Sequence, residues 1–273
     1  MSAVHAELAL EVSARSQVCD AVRYVAAREI MPHFLKVARH RKADGSLCTE
    51  ADLAAQDALT MALRSIEALP VVGEEMTEAE QCAQWNAGSA GLWCIDPLDG
   101  TSNFVNGLPL FSVSVALMRG GLPVLGVVYD PVADEMFHAE SGQGAWLGTR
   151  RLTVNDKPPR LRSAIANVDF KRLSPRLSAE LVSAPPYVSQ RNLGSGTLEW
   201  CYLAAGRFDL CLHGGQKLWD YAAGSLILAE AGGRACTLDS DLFFSGDLWK
   251  RPVIASHHPE LLGPWRDWVR SHR

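Results

Sequence analysis

Residues 93–104 read WCIDPLDGTSNF, and the rest of the chain is arranged around them. The stretch begins apolar, as a buried strand does, then turns about Pro97 with two carboxylates three residues apart, Asp96 and Asp99. Gly100 and Thr101 follow, where a helix can open. Asp-Pro and Asp-Gly are common turn dipeptides, so the stretch alone reads equally as a surface turn. Two aspartates at the end of a buried strand are costly unless something neutralises them. A divalent ion that prefers hard oxygen ligands, such as Mg²⁺, does this well.

Upstream, Val71, Val72 and Gly73 form a short strand that ends in Glu74 and Glu75. Parallel strands of an α/β sheet place their carboxyl ends on one edge, where sites form. Glu74 and the two aspartates are therefore candidates for one site, although a Glu-Glu pair alone reads as a solvated helix start. Before it, residues 49–69 read as a helix with Thr49 as cap and Asp52 as an acidic first-turn residue. Residues 42–46 make a polar turn. Residues 4–39 carry Leu8, Leu10, Val18, Val22, Val25 and Ile30 at helical spacing, interrupted near Pro32.

Downstream, residues 111–118, 122–130 and 135–138 read as an antiparallel meander, and Gly142, Gly144 and Gly148 punctuate a further short strand. Polar, proline-containing residues 154–163 mark a boundary. It divides an N-terminal lobe with the main acidic motifs, residues 1–155, from a C-terminal α/β lobe, residues 156–273. In the second lobe the expected order is strand 164–168, helix 175–182, strand 187–189, helix 198–205 and strand 208–212, ended by His213-Gly-Gly. A helix then opens at Trp219-Asp220. Its small face (Ala222, Ala223, Gly224) implies a closely packed neighbour, and Gly232 and Gly233 terminate it. Asp220 by itself reads as a helix cap. Strands 234–238 and 253–255 and a helix from 259 to about 269 complete the pass.

A chain of 273 residues with 48% hydrophobic and 21% charged residues has the composition of a globular enzyme. Its net charge of -5 argues against a general nucleic-acid-binding surface. No apolar run approaches a membrane span, and the N-terminus lacks the basic start and apolar middle of a signal peptide. Seven scattered cysteines without a C-x-x-C pair argue for reduced thiols in a cytoplasm.

Three separated stretches coincide with one family. Gly73-Glu-Glu75, Asp96-Pro-Leu-Asp-Gly-Thr-Ser-Asn-Phe104, and Trp219-Asp-Tyr-Ala-Ala-Gly224 with Glu230-Ala-Gly-Gly233 resemble, in order, the inositol monophosphatase family. The resemblance covers nearly the whole chain. It implies an α/β (α+β) fold, the layered αβαβα sandwich of the inositol monophosphatase and fructose-1,6-bisphosphatase type. It also implies a lithium-sensitive, homodimeric phosphatase using two or three Mg²⁺ ions. By that resemblance Glu74, Asp96 and the carbonyl of Leu98 bind a first ion, and Asp96, Asp99 and Asp220 bind a second. A weaker third ion sits by Glu74. Glu74 and Thr101 orient the attacking water, Gly100 and Thr101 receive phosphate, and Asp220 holds the water that protonates the leaving oxygen.

Substrate choice lies elsewhere. Inositol-specific members carry a carboxylate at the position that is His213 here, and Ser195 and Gly196 match the substrate wall. A neutral His213 can bond a hydroxyl, a charged one a second phosphate, and a bland reading points it to solvent. The expected substrate is a small phosphorylated polyol such as inositol monophosphate. The alternatives are a 3'(2'),5'-bisphosphate nucleotidase, a histidinol-phosphatase or a fructose-1,6-bisphosphatase on the same core, or a SuhB-type partner of the transcription machinery.

Overall fold

In the computed structural model, which describes residues 13–36, 40–41, 47–154 and 160–273, the strand carrying the two aspartates runs Leu92–Asp99 (β2). Its side chains alternate between two cores, as a strand's period of two requires. Trp93 and Ile95 join one apolar cluster, and Cys94 joins another. β2 pairs in parallel with Val71–Gly73 (β1) and antiparallel with Ser112–Arg119 (β3). The sheet continues through Leu122–Asp130 (β4), Glu135–Glu140 (β5), Ala145–Leu147 (β6) and Arg150–Leu152 (β7), seven strands in sequential order. The expected meander is present, and β3 is buried on both faces.

A second, five-stranded sheet contains Ile165–Asp169 (β8), Ser189–Arg191 (β9), Leu210–Lys217 (β10), Arg234–Cys236 (β11) and Lys250–Ser256 (β12), in the order β9-β8-β10-β12-β11. The helices are Ala14–Val25 (α1), Glu50–Ile66 (α2), Glu78–Ala87 (α3), Thr101–Val105 (α4), Pro175–Ser183 (α5), Gly196–Ala204 (α6), Leu218–Ala231 (α7) and Pro259–His272 (α8).

Three apolar clusters stack these elements into five layers. Val18, Val22, Leu59 and Leu63 of α1 and α2 cover one face of the larger sheet, against Trp93, Ile95, Val113 and Val115. Trp200, Leu203 and Ile227 of α6 and α7 lie between the sheets, with Cys94, Ala116 and Val128 on one side and Cys211, Val253 and Ala255 on the other. Leu177, Leu181, Trp265 and Val269 of α5 and α8 close the outer face of the smaller sheet. This is the αβαβα sandwich. The small face of α7 has the expected close neighbours: a Cβ on Gly224 would lie 2.3 Å from Trp200 Cβ, and one on Gly126 would lie 2.8 Å from the Ala223 carbonyl oxygen.

The expectations differ from the structure in a few places. α3 went unread because it presents no apolar stripe, with only Gln81 buried. Its signal was the Thr77–Glu80 capping box. β9 lies two residues later than expected, and Tyr187, which precedes it, packs against Trp265. β10 does not stop at His213-Gly-Gly but passes a bulge between His213 and Gln216 and reaches Lys217. α2 ends at Ile66 and α6 begins at Gly196. Leu8, Leu10, the 42–46 turn and the 155/156 boundary lie outside the described residues. None of the seven cysteines, all among the described residues, forms a disulfide. Among the described residues, no helix is long and apolar enough to cross a membrane.

Candidate active site

β1 and β2 run parallel, so Glu74 and the aspartates leave the sheet at the same edge. Gly73 allows this edge to pack: a Cβ there would lie 2.3 Å from Gln56 Oε1. That same oxygen accepts a 2.9 Å bond from the Glu75 N–H, which fixes the end of β1 on α2. The β2–β3 register shifts between Asp96 and Asp99, and Asp96 Oδ1 accepts from the Leu98 N–H at 3.1 Å. Gly100 then turns with φ 93°, a conformation that favours glycine. A Cβ there would also lie 2.9 Å from the Leu110 carbonyl oxygen. α4 starts at once, and Thr101 Oγ1 sits 3.1 Å from both Asp52 Oδ1 and the Leu98 carbonyl oxygen.

The second half of the site comes from the helices between the sheets. Asp99 Oδ2 accepts three bonds of 2.7 Å, from Ser195 Oγ, the Thr197 N–H and Thr197 Oγ1. Because Thr197 donates its hydroxyl proton to Asp99, it receives one from Ser112 Oγ, 2.5 Å away. Asp220, in the first turn of α7, accepts from the Lys217 N–H at 2.8 Å.

These carboxylates crowd one another. Burial, then the charges of Glu74, Asp99 and Asp220, hold the Asp96 carboxyl far above the usual range. Burial followed by Asp99 and Glu74 does the same to Asp220. Burial raises Asp99 and Asp52 as well, opposed by the bonds from Ser195 and Thr197 in one case and from Thr49 in the other. Asp96 Oδ2 is buried without a donor, and besides the Leu98 N–H on Oδ1 the Glu74 carboxylate stands within bonding reach of Asp96. Two adjoining carboxylates need a shared proton or a cation. The donor set and the orphaned oxygen therefore suit a hard divalent ion. Among the described residues, no three acidic, histidine or cysteine side chains already stand close enough to enclose one.

A cleft of ≈ 580 Å³ collects most of the expected residues: Glu74, Asp99, Gly100, Thr101, Ser195, Gly196, His213 and Asp220 line it. Asp96 and Leu98 lie behind its wall, each 1% exposed. Asp169, Lys171, Arg172 and Glu199 also line it. Sequence reasoning passed over these four, and it read Asp52 only as a helix-start acid. A charged side chain after a short strand gives no local sign of facing a cleft formed by distant elements.

His213 is buried, which rules out the solvent-pointing reading. Its Nδ1 accepts from the Gly215 N–H at 3.0 Å. The proton is therefore on Nε2, which faces Asp169 Oδ2 at 3.2 Å. The His213 bond is the largest cause holding the Asp169 carboxyl below its ordinary range. Arg172 Nη1 stands 3.4 Å from the same ring nitrogen and donates to the Gly215 carbonyl at 3.2 Å. Both imidazole nitrogens are thus engaged by the protein. From sequence alone, His213→Glu reads as a clean change of specificity. Here it would set two carboxylates side by side. A melting-temperature loss of about 4 °C or more is expected, at roughly 2–4 °C per kcal/mol. Unchanged melting in His213→Glu would show that Asp169 does not depend on this partner.

Comparison with known proteins agrees with this architecture. The family model described as "Inositol monophosphatase family" matches residues 12–266. An inositol-1-monophosphatase of Mesorhizobium japonicum is 38% identical over 203 residues, 72% of this chain and 74% of the relative. A Nus factor SuhB of Pasteurella multocida is 38% identical over 201 residues, 71% of this chain and 73% of the relative. The solved structure of a Thermotoga maritima IMPase superposes with a TM-score of 0.78 at 27% identity, covering 93% of this chain and 96% of that one. By motif order, five-layer fold and family match, the chain belongs to the inositol monophosphatase family.

Proposed function

We propose that this protein is a Mg²⁺-dependent phosphomonoesterase that hydrolyses a small phosphorylated polyol such as inositol monophosphate. One observation supports this above the others: the Glu74–Asp96 carboxylate pair, with no donor on Asp96 Oδ2, beside Asp99 and Asp220. Glu74, Asp96 and the Leu98 carbonyl would hold one ion. Asp96, Asp99 and Asp220 would hold a second, and a third would sit by Glu74. Bound there, Mg²⁺ supplies activation of the nucleophile and neutralises charge on the phosphate and the leaving oxygen.

The chain's own groups do the rest. Gly100 and Thr101 line the cleft and would receive the phosphate there, while the Leu110 carbonyl and Phe111 occupy the place of a Cβ on Gly100. When Thr101 Oγ1 donates to Asp52 Oδ1, its lone pairs are free to accept a hydrogen bond from the attacking water and orient it. Glu74 is the second acceptor for that water. Asp220, with one oxygen fixed on Lys217 N–H, presents the other to the water that protonates the leaving oxygen. Ser195 and Thr197 keep Asp99 in place. A covalent thiol route has no support: burial pushes the thiols of Cys94, Cys201 and Cys211 up, away from the reactive thiolate.

The test is a panel of phosphate esters assayed with Mg²⁺ and with excess EDTA: inositol monophosphate, a 3'-phosphoadenosine compound, histidinol phosphate and fructose bisphosphate. Activity is expected to require Mg²⁺ and to be inhibited by lithium, and inositol monophosphate is expected to be the preferred ester. Full turnover in EDTA would rule out the metal mechanism, and preference for another ester would reassign the substrate. The protein would act as a cytoplasmic homodimer. A second reading comes from the relatives named SuhB: a binding partner of the transcription machinery. Capture of RNA polymerase by both wild type and Asp96→Asn, with no turnover on the panel, would favour it.

A further inference from the structure

We propose that Glu199 is a positioning residue. It anchors the 193–197 segment that holds Asp99, and so joins the two halves of the cleft. Glu199 lies in the first turn of α6 and is 2% exposed. Its Oε1 accepts from the Leu193 N–H at 3.1 Å and the Gly194 N–H at 3.3 Å. The same segment is gripped from the opposite side. Asn103 of α4 donates through Nδ2 to the Leu193 carbonyl and to the Leu110 carbonyl, both at 2.7 Å. The residues that follow, Ser195 and Thr197, make the three bonds to Asp99 Oδ2. An unbroken series of contacts thus runs from Glu199 through the 193–197 segment to the carboxylate at the end of β2.

A carboxylate suits this place because one oxygen accepts from both backbone donors: the Leu193 N–H, which would otherwise be left unpaired beside a buried wall, and the Gly194 N–H, which it shares with Asn192 Oδ1 at 2.9 Å. The groups around it are the Asn167 side chain, which donates to it, the Asp99 and Asp169 carboxylates, and the Cys211 thiol. Among the described residues no cation pairs with it. Burial, more than these neighbours, pushes its carboxyl up to about 7. The grip on the segment therefore weakens as the pH falls through neutrality.

The bland alternative is a helix-start contact that affects stability alone, and the experiment separates the two. Wild type, Glu199→Ala and Glu199→Gln are compared on nitrophenyl phosphate at saturating Mg²⁺ between about pH 6 and pH 9. Mg²⁺-induced thermal shifts without substrate, and amide exchange over residues 193–197, are measured alongside. Removing a group that orients a metal ligand typically costs about 10–100-fold in metal affinity or activity. Glu199→Ala is expected to lower kcat and raise the Mg²⁺ midpoint within that range, and to exchange faster over 193–197. Glu199→Gln keeps an acceptor oxygen at every pH. It should recover most of the loss and lack the activity decline of the wild type near pH 7.

Wild-type Mg²⁺ midpoints and pH profiles in both variants, with melting temperature alone changed, would overturn the proposal. The inference rests on the metal-dependent reading above, and the arms distinguish the two. A wild type without turnover or a Mg²⁺ shift overturns that reading. In that event, unchanged amide exchange in Glu199→Ala overturns this one, and faster exchange supports the anchoring it claims.

Discussion

Asp220→Asn is expected to leave a folded protein whose turnover falls by about 10²–10³-fold, the scale on which removal of one preorganised electrostatic group acts. The reasoning starts at the helix terminus. Asp220 Oδ2 accepts from the Lys217 N–H, and the amide oxygen of Asn can take the same bond, so the start of α7 survives. What disappears is a charge that the protein itself disfavours, since burial, Asp99 and Glu74 raise the Asp220 carboxyl well above its ordinary range. Stability and activity should therefore move in opposite directions. The metal-free variant should melt above wild type while kcat collapses. Circular dichroism, thermal melts and single-turnover kinetics on one purified pair check this. Near-normal kcat in a folded Asp220→Asn protein would reduce the residue to a helix cap.

In a chelating buffer the wild-type protein should lose stability as the pH rises from the ordinary carboxylate range through about 7, and Mg²⁺ should reverse the loss. The sign follows from the raised carboxyls of Asp96, Asp220 and Glu199. Between the unfolded and the folded pKa, the folded state holds protons that the unfolded chain has released. Stability falls across that window and levels off above it. For Glu199 alone, the rise from 4.5 to about 7 corresponds to about 3 kcal/mol. Below the window the trend turns, because carboxyls held low, such as Asp169, lose their native partners on protonation.

Mg²⁺ at a hundredfold excess over its dissociation constant should restore about 2.7 kcal/mol. Asp96→Asn is the decisive variant. It should raise the melting temperature in chelator, abolish the Mg²⁺ response and remove turnover. Thermal melts against pH, with and without Mg²⁺, provide the measurement. A metal-free protein that grows more stable from pH 5 to 8, or an Asp96→Asn protein with a full Mg²⁺ shift, would refute the shared-charge account.

Much of this could be read from local sequence. The continuous apolar run 92–95, the Pro-containing turn and Gly100 encode β2 and the start of α4, because strand burial and turn chemistry act over a few residues. Thr49 with Asp52 marks the start of α2, and the small face of α7 foretold a close neighbour that proved to be Trp200. The three ordered motifs led to the family. α3, by contrast, lacks the apolar stripe that periodicity detects.

The site's wiring was not legible, because its partners are far apart in the chain. Thr101 meets Asp52 from 49 residues away, Asn103 meets Leu193 from 90, and Asp99 meets Thr197 from 98. Asp52 reads as a helix-start acid because it is one: it accepts from the Thr49 N–H through Oδ2 and takes Thr101 on its other oxygen. His213 looked like a free substrate contact until β10 continued past its bulge and set the ring between Asp169 and Gly215. Sequence by itself determined which acids stand at the ends of which elements, since that depends on neighbours a few residues away. Only the tertiary structure decided which of them share one low-dielectric pocket, because burial and charge repulsion are properties of packed layers.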